Sequence, residues 1–451
     1  KIKQENDFSN ILSKLIVSRK FDENEIYLIE NNLNLSNIFQ NNLDFIRAVN
    51  LVNDSLNNKE QICILGDYDV DGSAATSLLI KFFQYLDHPY FYYIPDRIKD
   101  GYGPSQKIFE RLLLKKPKLV IMVDCGSTSF DAIQFLNKNK IKSLIIDHHE
   151  INYPHPKANS IINPKKNNGY LKYDYLCATS LTYFFLDLLI KKIKCKINLR
   201  TYLIYVLLAT VCDVMPLRKL NRLISITALK EFKMDENKAI KKFYNLVDKK
   251  NKININDLGY FIGPILNSGG RLGKSHLAVE LLSTNNPETI NIKSSELLDL
   301  NKKRQKIESI TMNNINLGKL ENENDEVIVY YDPNINEGLI GIIASRLKDH
   351  LNKPSIVITR SNNLLKGSAR SIYNYNIGGV IKKLCDKKIL LKGGGHTMAA
   401  GFTLEKKNLN EFKKLINKDF IKNTYPIKNV HNYDAEISSV AINNDLYNDI
   451  N

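Results

Sequence analysis

"QICILGDYDVDG", Gln61 to Gly72, decides how the chain is read. Its first half is apolar and rich in isoleucine, the composition of a fully buried strand. Its second half sets Asp67, Asp69 and Asp71 around Tyr68 and Val70, with Gly66 and Gly72 at the ends. Three like charges directly after a buried strand repel one another unless something compensates them. A D-x-D after a strand also has an ordinary use, capping the helix that follows. The helical stretch "SAATSLLIKFFQYL" (Ser73–Leu86) does follow, so both roles stand at this point.

The same texture continues downstream. "KLVIMV" (118–123) leads into "SFDAIQFLNKN" (129–139), and the short runs "KSLII" (142–146) and "NSIIN" (159–163) come next. Alternation of β-prone and amphipathic segments predicts a parallel sheet with helices on both faces. Upstream, "FSNILSKLIVSRK" and "NLDFIRAVNLVNDSL" carry apolar residues at three- and four-residue spacing, as helices do. We therefore expect an N-terminal helical region at 1–60 and an α/β domain at 61–290. Residues 291–322 are polar and helix-prone and read as a connecting helix. A smaller α/β domain follows at 323–425. Its strands are "EVIVYY" and "PSIVIT", with the helix "GLIGIIASRLKDHL" between them, a glycine-rich turn at "LLKGGGHTMAAGF" and a late helix at "NEFKKLINKDFIK". Two or three domains suit 451 residues, at about 150 residues each.

The most apolar segment, "LCATSLTYFFLDLLI" (176–190), is too short to span a membrane and contains Asp187, so a buried helix is expected and no membrane partner. The formal charge of +16 favours a polyanion, with nucleic acid first. Enrichment in Lys, Asn and Ile, typical of A/T-rich genomes, accounts for part of that charge. Six cysteines form no C-x-x-C pair, which argues against structural zinc and fits a reducing cytoplasm.

Acidic and imidazole groups stand just past each strand of the first domain. Asp67, Asp69 and Asp71 follow the first, Asp124 the next, and Asp147, His148 and His149 the third. Asp213 closes the apolar helix "YLIYVLLATVC". In open parallel sheets, sites form outside the carboxyl ends of the strands. Taken singly, each group has a bland reading as a helix cap or a surface residue. Together they suit divalent cations with oxygen and imidazole ligands, Mn²⁺ or Mg²⁺, and two such ions suit an in-line displacement at phosphorus.

"DYDVDG", "VDCGSTS", "IDHHE" and "ATVCDVMPL" resemble the successive motifs of the DHH phosphoesterase superfamily. "LNSGGRLG", "GLIGIIASRL", "GSARS" and "GGGHTMAAG" resemble its RecJ branch of single-strand-specific 5′→3′ exonucleases. The likeness runs in order from about residue 10 to 440. It implies Asp69, Asp71, Asp124, His148 and Asp213 as metal ligands, with Asp124 bridging two ions and Asp67 close by. It places His149 at the scissile phosphate and Arg271 on that phosphate, with Asn267 nearby. Arg97, Ser368 and Arg370 correspond to the pocket for the DNA 5′ end. Gly393, Gly394, Gly395 and His396 correspond to the glycine-rich signature of the second domain, DHHA1. A narrow channel between the domains would explain selection of single strands. The likeness also implies an OB-fold after DHHA1, of which residues 426–451, with "YDAEISSVAI", are expected to be the start. Where family members carry a Trp-His pair, this chain has Ile335 and Asn336, and it contains no Trp.

The expected function is a metal-dependent 5′→3′ exonuclease on single-stranded DNA in recombination and repair. It would act in the cytoplasm as a monomer, alongside single-strand-binding protein and a helicase. Two alternatives stay open: a phosphodiesterase of short oligonucleotides or cyclic dinucleotides, and a non-catalytic nucleic-acid-binding scaffold. Retention of every acidic candidate disfavours the scaffold.

Overall fold

A computed structural model describes residues 8–30, 35–97, 99–166, 172–322, 325–424 and 433–450. Near the N-terminus, helices Asn10–Ser18, Glu23–Glu30 and Leu43–Asn57 precede the first sheet. Glu25 is fully buried there and accepts from Arg218 Nε at 2.7 Å, which ties the helices to the larger domain.

The first sheet contains β1 (Ile62–Leu65), β2 (Tyr90–Tyr93), β3 (Leu119–Val123), β4 (Lys142–Ile146) and β5 (Ser160–Ile162). Its order is β2-β1-β3-β4-β5, and every pairing is parallel. Period-2 alternation sends strand side chains into two separate cores. Ile62, Ile64, Leu119, Ile121, Leu144 and Ile146 enter one, and Cys63, Leu65, Val120, Met122 and Ile145 the other. Both faces are therefore covered, which is why the runs read as continuously apolar. The helix Ala178–Lys192, expected to be buried, packs in the larger core. No described helix is long and apolar enough to cross a membrane.

The connecting helix, expected over 291–322, starts earlier and ends earlier, at Pro287–Asn314, and a short helix, Leu317–Asn322, completes the link. Asn286 caps its start by accepting from the amides of Glu288 and Thr289, with Pro287 in the first turn.

The second sheet has β6 (Ile328–Tyr331), β7 (Ser355–Ser361), β8 (Leu364–Arg370), β9 (Lys392–His396) and β10 (Ala399–Leu404), in the order β6-β7-β8-β10-β9. Only β6–β7 is parallel. The segment expected to be a glycine-rich turn is instead the β9–β10 hairpin. Close backbone approach explains two of its glycines. A Cβ on Gly395 would lie 2.2 Å from the Ala399 carbonyl oxygen, and one on Gly393 would lie 2.7 Å from the Ile381 side chain. Gly394 has open space beside it.

Two other expectations change. Ile335 is a core residue beside Ile340 and Ile343, and Asn336 Oδ1 accepts from Gly338 N at 2.8 Å. The departure from Trp-His thus builds the turn into the helix Ile340–Leu351. The tail expected to open an OB-fold strand is not extended. Ser439–Ala441 is a 3-10 turn and Asn444–Ile450 a helix. With no described strand beside it, an extended tail would leave its backbone groups unpaired. Instead Asp434 accepts from Arg19 Nε and Ser18 Oγ, each at 2.7 Å. Residues 425–432 lie outside the described residues.

Candidate metal centre and phosphate cleft

The aspartates leave the sheet at the carboxyl ends of β1, β3 and β4, beside the point where strand order reverses between β1 and β3. Asp69 caps the helix Val70–Tyr85, accepting from Gly72 N at 3.0 Å. The capping role is therefore real for one of the three and leaves its second oxygen unused by the cap. Asp71 accepts the amides of Ala178 and Thr179, each at 2.7 Å, at the start of a second helix. Asp124 is left-handed, with φ of 60°, and donates its amide to Ile146 O at 3.0 Å. Asp tolerates that conformation better than most residues, and it turns the carboxylate off the strand end into the cleft. Asp213 ends the helix Leu203–Cys212.

These groups meet. His148 Nε2 lies 3.4 Å from Asp124 Oδ1, 3.4 Å from Asp213 Oδ2 and 3.7 Å from Asp71 Oδ2. Donor atoms of Asp67, Asp69 and Asp124 fall within 4.8 Å of one another, as do those of Asp71, His148 and Asp213, and those of Asp124, His148 and His149. Asp124 and His148 each belong to two of these groups.

Asp67 Oδ1, Asp124 Oδ1 and His148 Nε2 are buried and have no hydrogen-bond partner. Burial and mutual repulsion push Asp67 and Asp124 well above the usual carboxylate range. Burial and Asp71 raise Asp213 to about 8. Orphaned acceptors gathered in this way are costly alone and fit divalent cations, whose charge reverses the penalty. Hard oxygens with one imidazole suit Mn²⁺ or Mg²⁺. The two histidines divide by role. Burial holds His148 down to about 4, so it is neutral with a free Nε2, as a ligand must be. His149 is pulled down by burial but raised further by the Asp147 hydrogen bond and charge, to about 9. It is a cation beside the cluster.

Asp147 holds that cation. It is fully buried, and its Oδ1 accepts from His149 Nδ1 at 2.8 Å and from the amides of His148 and His149 at 2.8 and 3.1 Å. Its Oδ2 accepts from Ser127 N at 3.0 Å. Asn163, also fully buried, donates to His149 O at 2.9 Å and Ser127 Oγ at 2.7 Å. Sequence reasoning named Asp147 without a role and missed Asn163; the one available signal was the polar residue immediately after β5. Tyr102 is 55% exposed. Its hydroxyl donates to Asp124 O at 3.2 Å and lies 3.3 Å from His149 Nδ1.

Basic groups border the acidic centre. Arg97 sits over the Tyr68 ring, 5.4 Å from its centroid. Arg271 ends the helix Gly263–Arg271 and reaches Gly338 O of the second domain at 3.4 Å, with Asn267 one turn before it. Arg370 Nη1 donates to Ser368 Oγ at 3.2 Å. Burial lowers Arg271 to about 10, and the charges of Arg97, Arg304 and Arg370 add to the effect. Mutually repelling guanidinium groups held together present an unsatisfied positive field to an anion. Across the cleft, His396 stacks on His149 with ring centroids 6.2 Å apart. Gly394 and Gly395 run along the exposed edge strand that carries it.

Comparison with known proteins places this arrangement. The DHH family, N-terminal domain, matches residues 61–210, and the DHHA1 domain matches residues 324–422. The chain is 31% identical to the single-stranded-DNA-specific exonuclease RecJ of Haemophilus influenzae, over 82% of this chain and 68% of that protein. It is 28% identical to the protein of the same name from Bacillus subtilis, over 90% of this chain and 52% of that protein. Its fold is similar to a Mn²⁺ complex of RecJ from Thermus thermophilus, with a TM-score of 0.75 at 22% identity, covering 93% of this chain and 62% of that one. The chain thus spans between about half and two-thirds of these relatives. Both domain matches fall in order on the two sheets, and the chain belongs to the RecJ family.

Proposed function

We propose that the chain is a metal-dependent 5′→3′ exonuclease that hydrolyses single-stranded DNA from its end. The observation that carries this reading is the convergence of orphaned, buried carboxylate and imidazole atoms beside a cluster of arginines. Asp69, Asp71, Asp124, His148 and Asp213 would hold two Mn²⁺ or Mg²⁺ ions, with Asp124 shared and Asp67 able to contribute. Bound divalent ions there supply a nucleophile at neutral pH and offset charge growing at phosphorus.

The protein's own groups do the rest. Arg271 offers a planar fork to two oxygens of the scissile phosphate. His149, charged and held at Nδ1 by Asp147, turns its other edge to the same phosphate and donates a proton-bearing contact. Arg97, Ser368 and Arg370 receive the terminal 5′ phosphate, so cutting starts at an end. Gly394, Gly395 and His396 line the opposite wall, and the cleft between the domains admits one strand. On this reading the protein serves recombination and repair in the cytoplasm, as a monomer working with single-strand-binding protein and a helicase.

A long single strand labelled at its 5′ end, digested with Mn²⁺, tests the reading. Labelled mononucleotide should be the first product, and Asp124→Ala should bind the strand without cutting it. Cleavage confined to di- and trinucleotides would replace the exonuclease with a short-oligonucleotide phosphodiesterase. Binding with no cleavage by either protein would leave a scaffold.

A further inference from the structure

The loops that carry Arg97 and Lys165 leave the two opposite edge strands of the first sheet, β2 and β5, on either flank of the acidic centre. Arg97, Arg271 and Arg370 form one side. Arg97 acts electrostatically on Asp67, Tyr68, Arg271 and Arg370. Lys165 forms the other. After burial, which dominates in each case, its charge acts on His148, Asp213 and His396. The loop leaving β5 is fixed by the same buried Asn163 that grips His149 O: Lys165 N donates to Asn163 Oδ1 at 2.8 Å. The Lys165 side chain is largely covered, with 19% exposed, and among the described residues its ammonium pairs with the rim carboxylate of Glu150, at 3.0 Å with 66% exposure. An ion pair with so exposed a partner is worth about 0–1 kcal/mol, and a phosphate can displace it.

We propose that Lys165 grips the phosphate on the 3′ side of the cut, opposite the arginines that receive the 5′ end. This rests on the exonuclease reading. With the 5′ phosphate at Arg97 and Arg370 and the scissile phosphate at the centre, the continuing strand leaves across Lys165 and His396. Glu150 holds the lysine in place until DNA arrives and competes with it afterwards. Lys165 is thus a determinant of strand length: a 5′-phosphorylated dinucleotide has no phosphate for it, and a long strand does.

The test compares wild type, Lys165→Gln, Lys165→Arg and Glu150→Gln, as the full chain with Mn²⁺. Substrates are a 5′-phosphorylated 20-mer and a 5′-phosphorylated dinucleotide. Lys165→Gln should lower the 20-mer-to-dinucleotide ratio of kcat/KM about tenfold, mostly through KM, with Lys165→Arg restoring most of it. In anisotropy binding with Ca²⁺, the salt slope for the 20-mer should flatten by about 0.7 in Lys165→Gln, one phosphate contact on a single strand. Glu150→Gln should tighten binding about twofold to threefold by freeing the ammonium. An unchanged ratio and salt slope in Lys165→Gln would reduce Lys165–Glu150 to a surface ion pair and overturn the proposal, while wild-type cleavage of the 20-mer would leave the exonuclease reading intact. Failure of the wild type to cut the 20-mer would instead sink that reading, with the salt slope still deciding the phosphate contact.

Discussion

Replacing Asp147 with asparagine isolates what holds His149 in place. The carboxylate accepts four protein donors, three on Oδ1 and one on Oδ2. A carboxamide has one acceptor oxygen. Its cheaper orientation puts that oxygen where Oδ1 was and turns the NH₂ toward Ser127 N–H, setting two buried donors against each other with no acceptor between them, at about 1–3 kcal/mol. The remaining bonds lose their charge assistance, about 1 kcal/mol more. Stability should therefore fall by about 2–4 kcal/mol, inside the 5–15 kcal/mol typical of a domain, so the variant still folds. The imidazole loses the anion that fixed its orientation and its charge, and hydrolysis should slow about 10- to 100-fold, as when a residue supporting a site's histidine is removed. Urea unfolding in chelator measures the first effect, and single-turnover cleavage with Mn²⁺ the second. Lost stability with a wild-type rate would show that Asp147 does not orient a working His149. Unchanged stability would refute the hydrogen-bond argument itself.

Glu25 is fully buried, and burial raises its pKa while Arg218, through a hydrogen bond and its charge, lowers it further, for a net downward shift. A depressed carboxylate stabilises the fold above its unfolded value of about 4.3 and loses that stabilisation as pH falls through the folded value. Glu25→Gln should cost about 1–2 kcal/mol at pH 7, discounted because Arg218 is partly exposed, and thermal melts should show the gap closing in acid. Lys81, 8% exposed, is pushed down to about 8 by burial. Its charged form is penalised in the fold, so wild-type stability should climb from about pH 8 to 10, a rise absent from Lys81→Met. At pH 7 Lys81→Met should gain about 1–2 kcal/mol net of the lost Asn285 and Tyr202 contacts. A Cβ on Gly338 would lie 2.0 Å from Arg271 O, backbone against backbone across the domain boundary. Gly338→Ala should keep both domains folded, cost about 1–3 kcal/mol and lower kcat/KM, with limited proteolysis of the connecting helix becoming faster.

The parallel sheet was legible because its strands are buried on both faces, so "ICIL" and "LVIMV" carry no competing polar signal. The acidic cluster was legible because strand ends in such a sheet converge. Hydrogen bonds between distant segments were not. Asp71 capping the helix at Ala178 joins residues more than a hundred positions apart, and nothing local announces it. Tyr102 could not be assigned from the sequence, because the partners of its hydroxyl, Asp124 O and His149, come from distant segments. "GGGH" resembled a turn because three glycines are poor strand formers; the tight approach of β10 and of Ile381 is what requires two of them. The tail was expected as a strand on the family likeness alone, and a strand needs a neighbouring strand to pair with.

The central claim is that paired divalent ions make the carboxylate cluster tolerable. Titrating Mn²⁺ into metal-stripped protein, with free ion followed by electron paramagnetic resonance, tests it directly. About two ions per chain should bind to the wild type and raise its melting temperature, and Asp124→Asn, which spoils the shared ligand, should lose at least one. A folded wild-type protein that takes up no Mn²⁺ would contradict the claim.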